Sequence, residues 1–279
     1  MVKISVIICT LNREKLLDRC VESIFMQQYS NYEIIIVDQS EKINNTYLQN
    51  GKVKYVHINQ KGLSNARNVG LRIASGEWIA LADDDAIYNE NFLSNAVDSI
   101  SYSHEKIGIV SGAGIDPDTG AYLISKMKKK SNKEIGWNTL FSYVMSAGMV
   151  IEKSLLNDGF DTRFGVGTTT EYGSGEETDI VIKALILGKK VYFNPNMQFM
   201  HKADLGDNKL KIYSYNCGKG ALLKKYYIGY NKFIFGYIFI TVIIRSLLGC
   251  VLYIIGNKKC YKSFWALWGK LHGFRSFNI

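Results

Sequence analysis

Gly76-Glu77-Trp78-Ile79-Ala80-Leu81-Ala82-Asp83-Asp84-Asp85 decides how the chain reads, because an apolar run of strand length delivers three consecutive carboxylates into one loop. Strands that are almost continuously apolar are those buried on both faces, as in a parallel sheet with helices on each side. Ligands of such sheets gather at the carboxyl ends of the strands. Three acids this close repel one another and stay ionised together only around a shared cation, and hard oxygen donors select Mg²⁺ or Mn²⁺. An acidic triplet can also cap a helix N-terminus; its position after a strand favours the metal.

Working outward, residues 2–9, 33–37, 53–58 and 107–110 are further short apolar runs, separated by helical patterns. That is a βαβ rhythm, and the fold class it predicts is α/β, a Rossmann-like, mostly parallel sheet with helices on both faces. Leu16, Leu17, Val21, Ile24 and Phe25 recur at helical spacing, with Asn12 available as the N-cap. Polar groups follow each strand. Thr10, Asn12 and Arg13 come after the first, and Asp38, Gln39 and Ser40 after the second. A carboxylate such as Asp38 at a strand end suits the imide N–H of a uracil ring. Gly62 to Gly70 enters a helix on which Arg67 could meet a diphosphate through its planar fork.

Tyr172-Gly173-Ser174-Gly175-Glu176-Glu177-Thr178-Asp179 is a glycine-rich entry to a helix with three acids in its first turn. A helix dipole favours acids there, but transfer to a hydroxyl acceptor also needs a carboxylate as general base. Glu177 is the first choice, with Glu176 and Asp179 as rivals. His201 follows strand-like residues 190–193 and 198–200 and could complete a metal shell or contact a phosphate.

The 279 residues, 47% of them hydrophobic, can bury one large core, which excludes disorder. A formal charge of +9 suits nucleic acid or an anionic membrane. Tyr and Phe crowd the last quarter beside Lys, which favours the membrane interface and argues against a nucleic-acid partner. Residues 111–141 read as a long connection with a lysine run at Lys126, Lys128, Lys129, Lys130 and Lys133, either a solvated face or an anion contact. A strand is expected over 143–151 and a helix over 178–187. Residues 233–244 and 246–256 read as two in-plane membrane helices with Arg245 snorkelling between them, or as a buried hairpin. Flanking Lys224, Lys225, Lys232, Lys258, Lys259, Lys262 and Lys270 would then attract acidic headgroups. Five scattered cysteines read as free thiols, and Arg13, Glu14 and Lys15 follow the first apolar run too closely for a signal peptide. The expected location is the cytoplasmic face of the cell membrane, peripheral or shallowly inserted. No Walker A loop and no G-x-G-x-x-G fingerprint occur.

Taken together, residues 5–13, 35–38, Gly62 to Gly70, 76–85, Gly159-Phe160-Asp161 and 175–179 resemble, in family order, the inverting GT-A glycosyltransferases of family 2, among them bacterial enzymes of capsule and O-antigen assembly. The resemblance implies that Thr10, Asn12, Arg13 and Asp38 hold base and ribose, and that Arg67 faces the diphosphate. Asp83 and Asp85 would form a D-x-D metal site for Mn²⁺ or Mg²⁺, with Asp84 between them on the nucleotide-sugar side as a substitution-tolerant spacer. Glu177 would be the base, although the family usually has Glu-Asp where this chain has Glu176-Glu177. The Q-x-x-R-W motif of processive synthases is absent, which implies one sugar per encounter.

The implied activity is transfer of a sugar from a nucleotide-sugar donor, a UDP-sugar, to a polyprenyl-linked or other glycan acceptor. Nucleotidyl transfer and a non-catalytic membrane adaptor are the rival readings. The expected organisation is a catalytic domain over 1–205, with nucleotide-sugar binding over 1–112 and acceptor and catalytic parts over 113–205. A membrane-associated helical region over 206–279 would follow it.

Overall fold

The computed structural model describes residues 1–48, 51–102, 106–128, 131–202 and 208–279. Lys129, Lys130, the side chain of Lys259 and the boundary expected at 205–206 lie outside the described residues. The strands are β1 (Ile4–Thr10), β2 (Tyr32–Asp38), β3 (Val53–His57), β4 (Trp78–Asp83), β5 (Ile87–Tyr88), β6 (Ile107–Ile115), β7 (Lys133–Glu134), β8 (Met149–Glu152) and β9 (Lys190–Met200). The helices are α1 (Glu14–Phe25), α2 (Asn45–Leu48), α3 (Leu63–Ile73), α4 (Phe92–Tyr102), α5 (Glu176–Ile186), α6 (Lys209–Lys224), α7 (Phe233–Ile254) and α8 (Lys262–Ser276). The chain divides into two compact units.

The first unit comprises Met1–Lys61, Asn65–Phe160 and Ile180–Asp204. Its sheet runs β3-β2-β1-β4-β8-β6-β9-β5, with β7 beside β9. Strands β1 to β4, β6 and β9 share one direction, while β5, β7 and β8 run against them. The mostly parallel character follows from the residues. Successive side chains of β1 alternate between faces, and both faces are covered. Val6 and Ile8 join Leu17, Cys20, Val21 and Ile24 of α1 in one buried cluster. On the other face Ile7 meets α3, so closely that a Cβ at Gly70 would lie 2.7 Å from its side chain. Each such fully buried aliphatic side chain contributes about 1.5–3 kcal/mol.

Four expectations for this unit need correction. Asn12 does not cap α1; Arg13 holds that position without a side-chain bond to the helix N-terminus, and Asn12 adopts a left-handed φ of 56°. The connection expected from Ser111 begins only at Asp116, because β6 continues through Gly112 and Gly114 to Ile115. Those glycines mark close packing within a strand, since a Cβ at Gly112 would lie 2.3 Å from the Met197 carbonyl. The strand expected over 143–151 starts at Met149, after a 3-10 turn at Ser146–Gly148. The two strand-like pieces near Pro195 are one strand, β9, whose pairing with β6 shifts register between Ser111 and Ala113.

The second unit comprises Gly62–Ser64, Asp161–Asp179 and Leu205–Ile279. Helices α6 and α8 touch backbone to backbone: a Cβ at Gly273 would lie 2.0 Å from the Cys217 carbonyl, and one at Gly220 2.1 Å from that of Lys270. Gly269 and Gly273, one helical turn apart, open the face of α8 that permits this. Between them α7 runs unbroken for 22 residues, so the two helices expected on either side of Arg245 are one. An exposed arginine in mid-helix keeps its charge in solvent without interrupting the backbone ladder. Among the described residues α7 is the one helix long and apolar enough to cross a membrane, and Phe233, Tyr237, Ile240, Ile244 and Leu248 are exposed along it. Three of the lysines assigned to lipid headgroups are engaged within the protein. Lys224 donates to the carbonyls of Arg275 and Phe277, Lys225 is buried against carboxylates, and Lys270 is buried with its Nζ 2.8 Å from Ser246 Oγ.

Candidate active site

The register of three strands assembles the acidic edge of the first unit. Thr10 lies opposite Asp38, and Cys9 opposite Asp83, so the polar residues after β1, β2 and β4 sit at one end of the sheet. The fourth element is antiparallel. Ile87 of β5 pairs with Met200 of β9, which brings Asp85 and His201 together just outside that pair. His201 Nε2 stands 3.0 Å from Asp85 Oδ1.

Asp83, Asp85 and His201 each offer one ligand atom, and these atoms lie within 4.8 Å of one another. Ser146 Oγ is 3.5 Å from both oxygens of Asp83. Burial pushes the Asp83 carboxyl up, against the pull of Arg67 and His201. Burial also opposes ionisation of Asp85, but the His201 hydrogen bond and Arg13 outweigh it and hold that carboxyl low, while Asp85 raises His201. Two carboxylates and an imidazole, crowded and partly desolvated, are a donor set for a divalent cation, and two hard oxygens suit Mn²⁺ or Mg²⁺. The residues fit the metal.

Around this core the structure brings together most of the expected donor-binding residues. Thr10 Oγ1 donates to Asp84 Oδ2 at 2.7 Å, and Arg13 Nη1 reaches Asp84 Oδ1 at 3.0 Å and Asp85 Oδ2 at 3.1 Å. Asp38 is buried; Ser40 N donates to its Oδ1 at 2.8 Å and Tyr55 Oη to its Oδ2 at 2.6 Å. Asn12 stays exposed and bonds the neighbouring loop, its N–H to Ser40 Oγ and its Oδ1 from Glu41 N. Arg67 is not a surface arginine. It is 2% exposed, its Nη2 is 3.5 Å from Asp83 Oδ1, and its guanidinium lies over the Phe160 ring.

Asp84 departs from its expected role as a tolerant spacer. It is the buried member of the triplet, and its bonds tie the end of β1 to the end of β4. Replacing it with alanine strands the buried Thr10 hydroxyl and removes one partner of the exposed Arg13, so Asp84→Ala is expected to cost about 1–3 kcal/mol of stability. Thermal melting of the purified variant checks this; an unchanged Tm would restore the spacer reading. A depression of about 610 Å³ lined by Trp78, Lys106, Glu152 and Lys189 lies at the opposite end of β4 and contributes nothing to this cluster.

The three candidate bases belong to the second unit, in the first turn of α5. Gly175, at φ 112°, makes the sharp entry, and its carbonyl accepts from Asp179 N at 2.8 Å to open the helix. Asp179 is fully buried, with Lys225 Nζ and Tyr226 Oη each 2.7 Å from its Oδ1. A carboxylate so enclosed has no face from which to take an acceptor proton. Glu176 is 4% exposed and lies close to Gly165. Glu177 is half-buried, the most accessible of the three. Lys225, Tyr226 and Ser146 were missed from the sequence, because each acquires its role only through a partner 46 or more residues away.

The model of the family described as Glycosyl transferase family 2 matches residues 5–160. Glycosyltransferase GlyG of Streptococcus pneumoniae serotype 4 is 31% identical over 126 residues, covering 43% of this chain and 42% of its own length. The chain thus spans less than half of that relative. A Methanococcus voltae protein, dolichyl N-acetyl-alpha-D-glucosaminyl phosphate 3-beta-D-2,3-diacetamido-2,3-dideoxy-beta-D-glucuronosyltransferase, is 24% identical over 272 residues, covering 88% of this chain and 82% of its own. Among solved structures, the mannosyltransferase PcManGT from Pyrobaculum calidifontis, in complex with GDP-Man and Mn²⁺, superposes with a TM-score of 0.64 at 14% identity, over 98% of this chain and 86% of that one. The likeness shows a shared fold, the GT-A architecture.

Proposed function

We propose, from the premise that this chain belongs to glycosyl transferase family 2, that it is an inverting, metal-dependent glycosyltransferase moving one sugar from a nucleotide-sugar to a lipid-linked glycan acceptor. The observation that carries the reading is the Asp83, Asp85 and His201 cluster at the carboxyl end of β4, beside Thr10, Arg13 and Asp38. Asp38 offers carboxylate oxygens of the kind that accept from a uracil imide, which supports a UDP-sugar. Arg13 and Arg67 bring cationic forks to the acidic edge, where the donor's diphosphate would replace carboxylates as their partners.

A divalent metal held by Asp83, Asp85 and His201 would neutralise negative charge on the leaving diphosphate. The chain's own part is acid–base chemistry and positioning. Glu177 takes the proton from the acceptor hydroxyl as its oxygen attacks the anomeric carbon, the bond from that carbon to the diphosphate oxygen breaks, and the configuration inverts. The proton ends on Glu177 and the electron pair on the nucleoside diphosphate. Incubation with a panel of UDP-, dTDP- and GDP-sugars and a polyprenyl-linked acceptor tests the reading. Release of nucleoside diphosphate is expected, and release of pyrophosphate would instead identify a nucleotidyltransferase.

The acceptor class draws support from the Methanococcus voltae relative, named for a dolichyl-linked substrate, and from the exposed apolar side chains of α7. We place the chain on the cytoplasmic face of the membrane, docked through α7 with its lysine-flanked ends. High salt or carbonate is expected to release the protein from membranes. Release by detergent alone would mean that α7 spans the bilayer, for which its 22 residues suffice.

A further inference from the structure

The acidic turn that carries Glu177 is held by the helical part of the second unit. Where α6 ends, the helix widens into a π turn over Lys225–Gly229, an irregularity often found at functional positions. Its first two residues, Lys225 and Tyr226, are both buried. Lys225 Nζ lies 2.7 Å from Asp179 Oδ1 and 3.0 Å from Asp161 Oδ2, and Tyr226 Oη donates to the same Asp179 oxygen at 2.7 Å. Asp161 also accepts from Arg163 Nη2 at 2.8 Å. One ammonium thus joins the first turn of α5 to the Asp161–Arg163 corner.

We propose that Lys225, assisted by Tyr226, is a positioning residue for Glu177, fixing the first turn of α5 through Asp179. The inference rests on the reading of Glu177 as the base. Asp179 lies two residues beyond Glu177, so the two share one backbone turn. Without the ammonium, two carboxylates 18 residues apart in sequence would lose the cation hydrogen-bonded to both, while Arg163 stays bound to Asp161 alone. Relaxing that repulsion requires the Asp179 carboxylate to move, which shifts the turn on which Glu177 is mounted. A displacement of an ångström at a reacting group costs about 10²-fold in rate.

The test compares Lys225→Met, Lys225→Arg, Tyr226→Phe and Glu177→Gln in full-length protein, reading kcat, donor KM and Tm. Lys225→Met is expected to lower kcat by about 10²-fold with donor KM unchanged. Lys225→Arg should recover most of that loss. Tyr226→Phe removes one hydroxyl and leaves the fold intact, and should lower kcat several-fold. Adding Lys225→Met to Glu177→Gln should cost no further kcat, because the positioned group is gone. An unchanged kcat in both Lys225→Met and Tyr226→Phe would overturn the proposal. So would a full additive loss in the double variant, or a Lys225→Met defect that follows Tm alone and that arginine does not repair. Full activity of Glu177→Gln would instead remove Glu177 from the base role, a separate failure.

Discussion

Asp85→Ala is expected to reduce sugar transfer by about 10³-fold or more, since on the proposed reading it would remove one of the two carboxylates that hold a divalent cation, whose charge stabilisation would be worth several kcal/mol. Asp85 also holds His201 in place at 3.0 Å, so the substitution frees the imidazole as well as deleting a ligand. Metal affinity should fall with activity, readable by the Mn²⁺ concentration needed for half-maximal rate. Asp85 is partly exposed, its loss leaves no buried group stranded, and the fold should survive. Turnover within threefold of the unsubstituted protein would remove Asp85 from the mechanism.

Glu177→Gln is the second large effect. The substitution keeps size and hydrogen bonding but abolishes proton acceptance, so kcat should fall by about 10²–10⁴-fold, the range for loss of a general base. Donor affinity should be unaffected, because the residues expected to hold the nucleotide lie elsewhere in the chain. The parallel substitution Glu176→Gln separates the neighbours. Glu176 is buried, and a loss confined to stability is the expected outcome there. Should Glu176→Gln abolish turnover while Glu177→Gln does not, the roles of the two residues would be reversed.

The sheet was legible because its signal is local. Runs such as Ile34-Ile35-Ile36-Val37 declare a doubly buried strand, and the polar residue that follows each run marks the ligand-binding edge. His201 could be placed with the acids because it directly follows the end of a strand. What failed was whatever depends on a distant partner. Gly112 and Gly114 looked like loop residues until Met197 and Phe199 came to lie against them. Lys225 and Lys270, read by composition as headgroup contacts, turned inward to Asp179 and Ser246. Arg245 looked like a helix break because its charge is costly in an apolar run, but on an exposed helix face it interrupts nothing. Within the triplet, the sequence reading ranked the outer acids as ligands and the middle one as a substitution-tolerant spacer on the nucleotide-sugar side, whereas bonds from Thr10 and Arg13 tie Asp84 into the sheet edge.

The most direct measurement of a metal-dependent transferase site at the Asp83, Asp85 and His201 cluster is release of nucleoside diphosphate by chelator-stripped protein, with acceptor present and Mn²⁺ added stepwise. Activity absent without metal, restored by Mn²⁺ or Mg²⁺, and not restored in Asp85→Ala is the predicted result. Equal release of nucleoside diphosphate with and without metal, in both proteins, would contradict it.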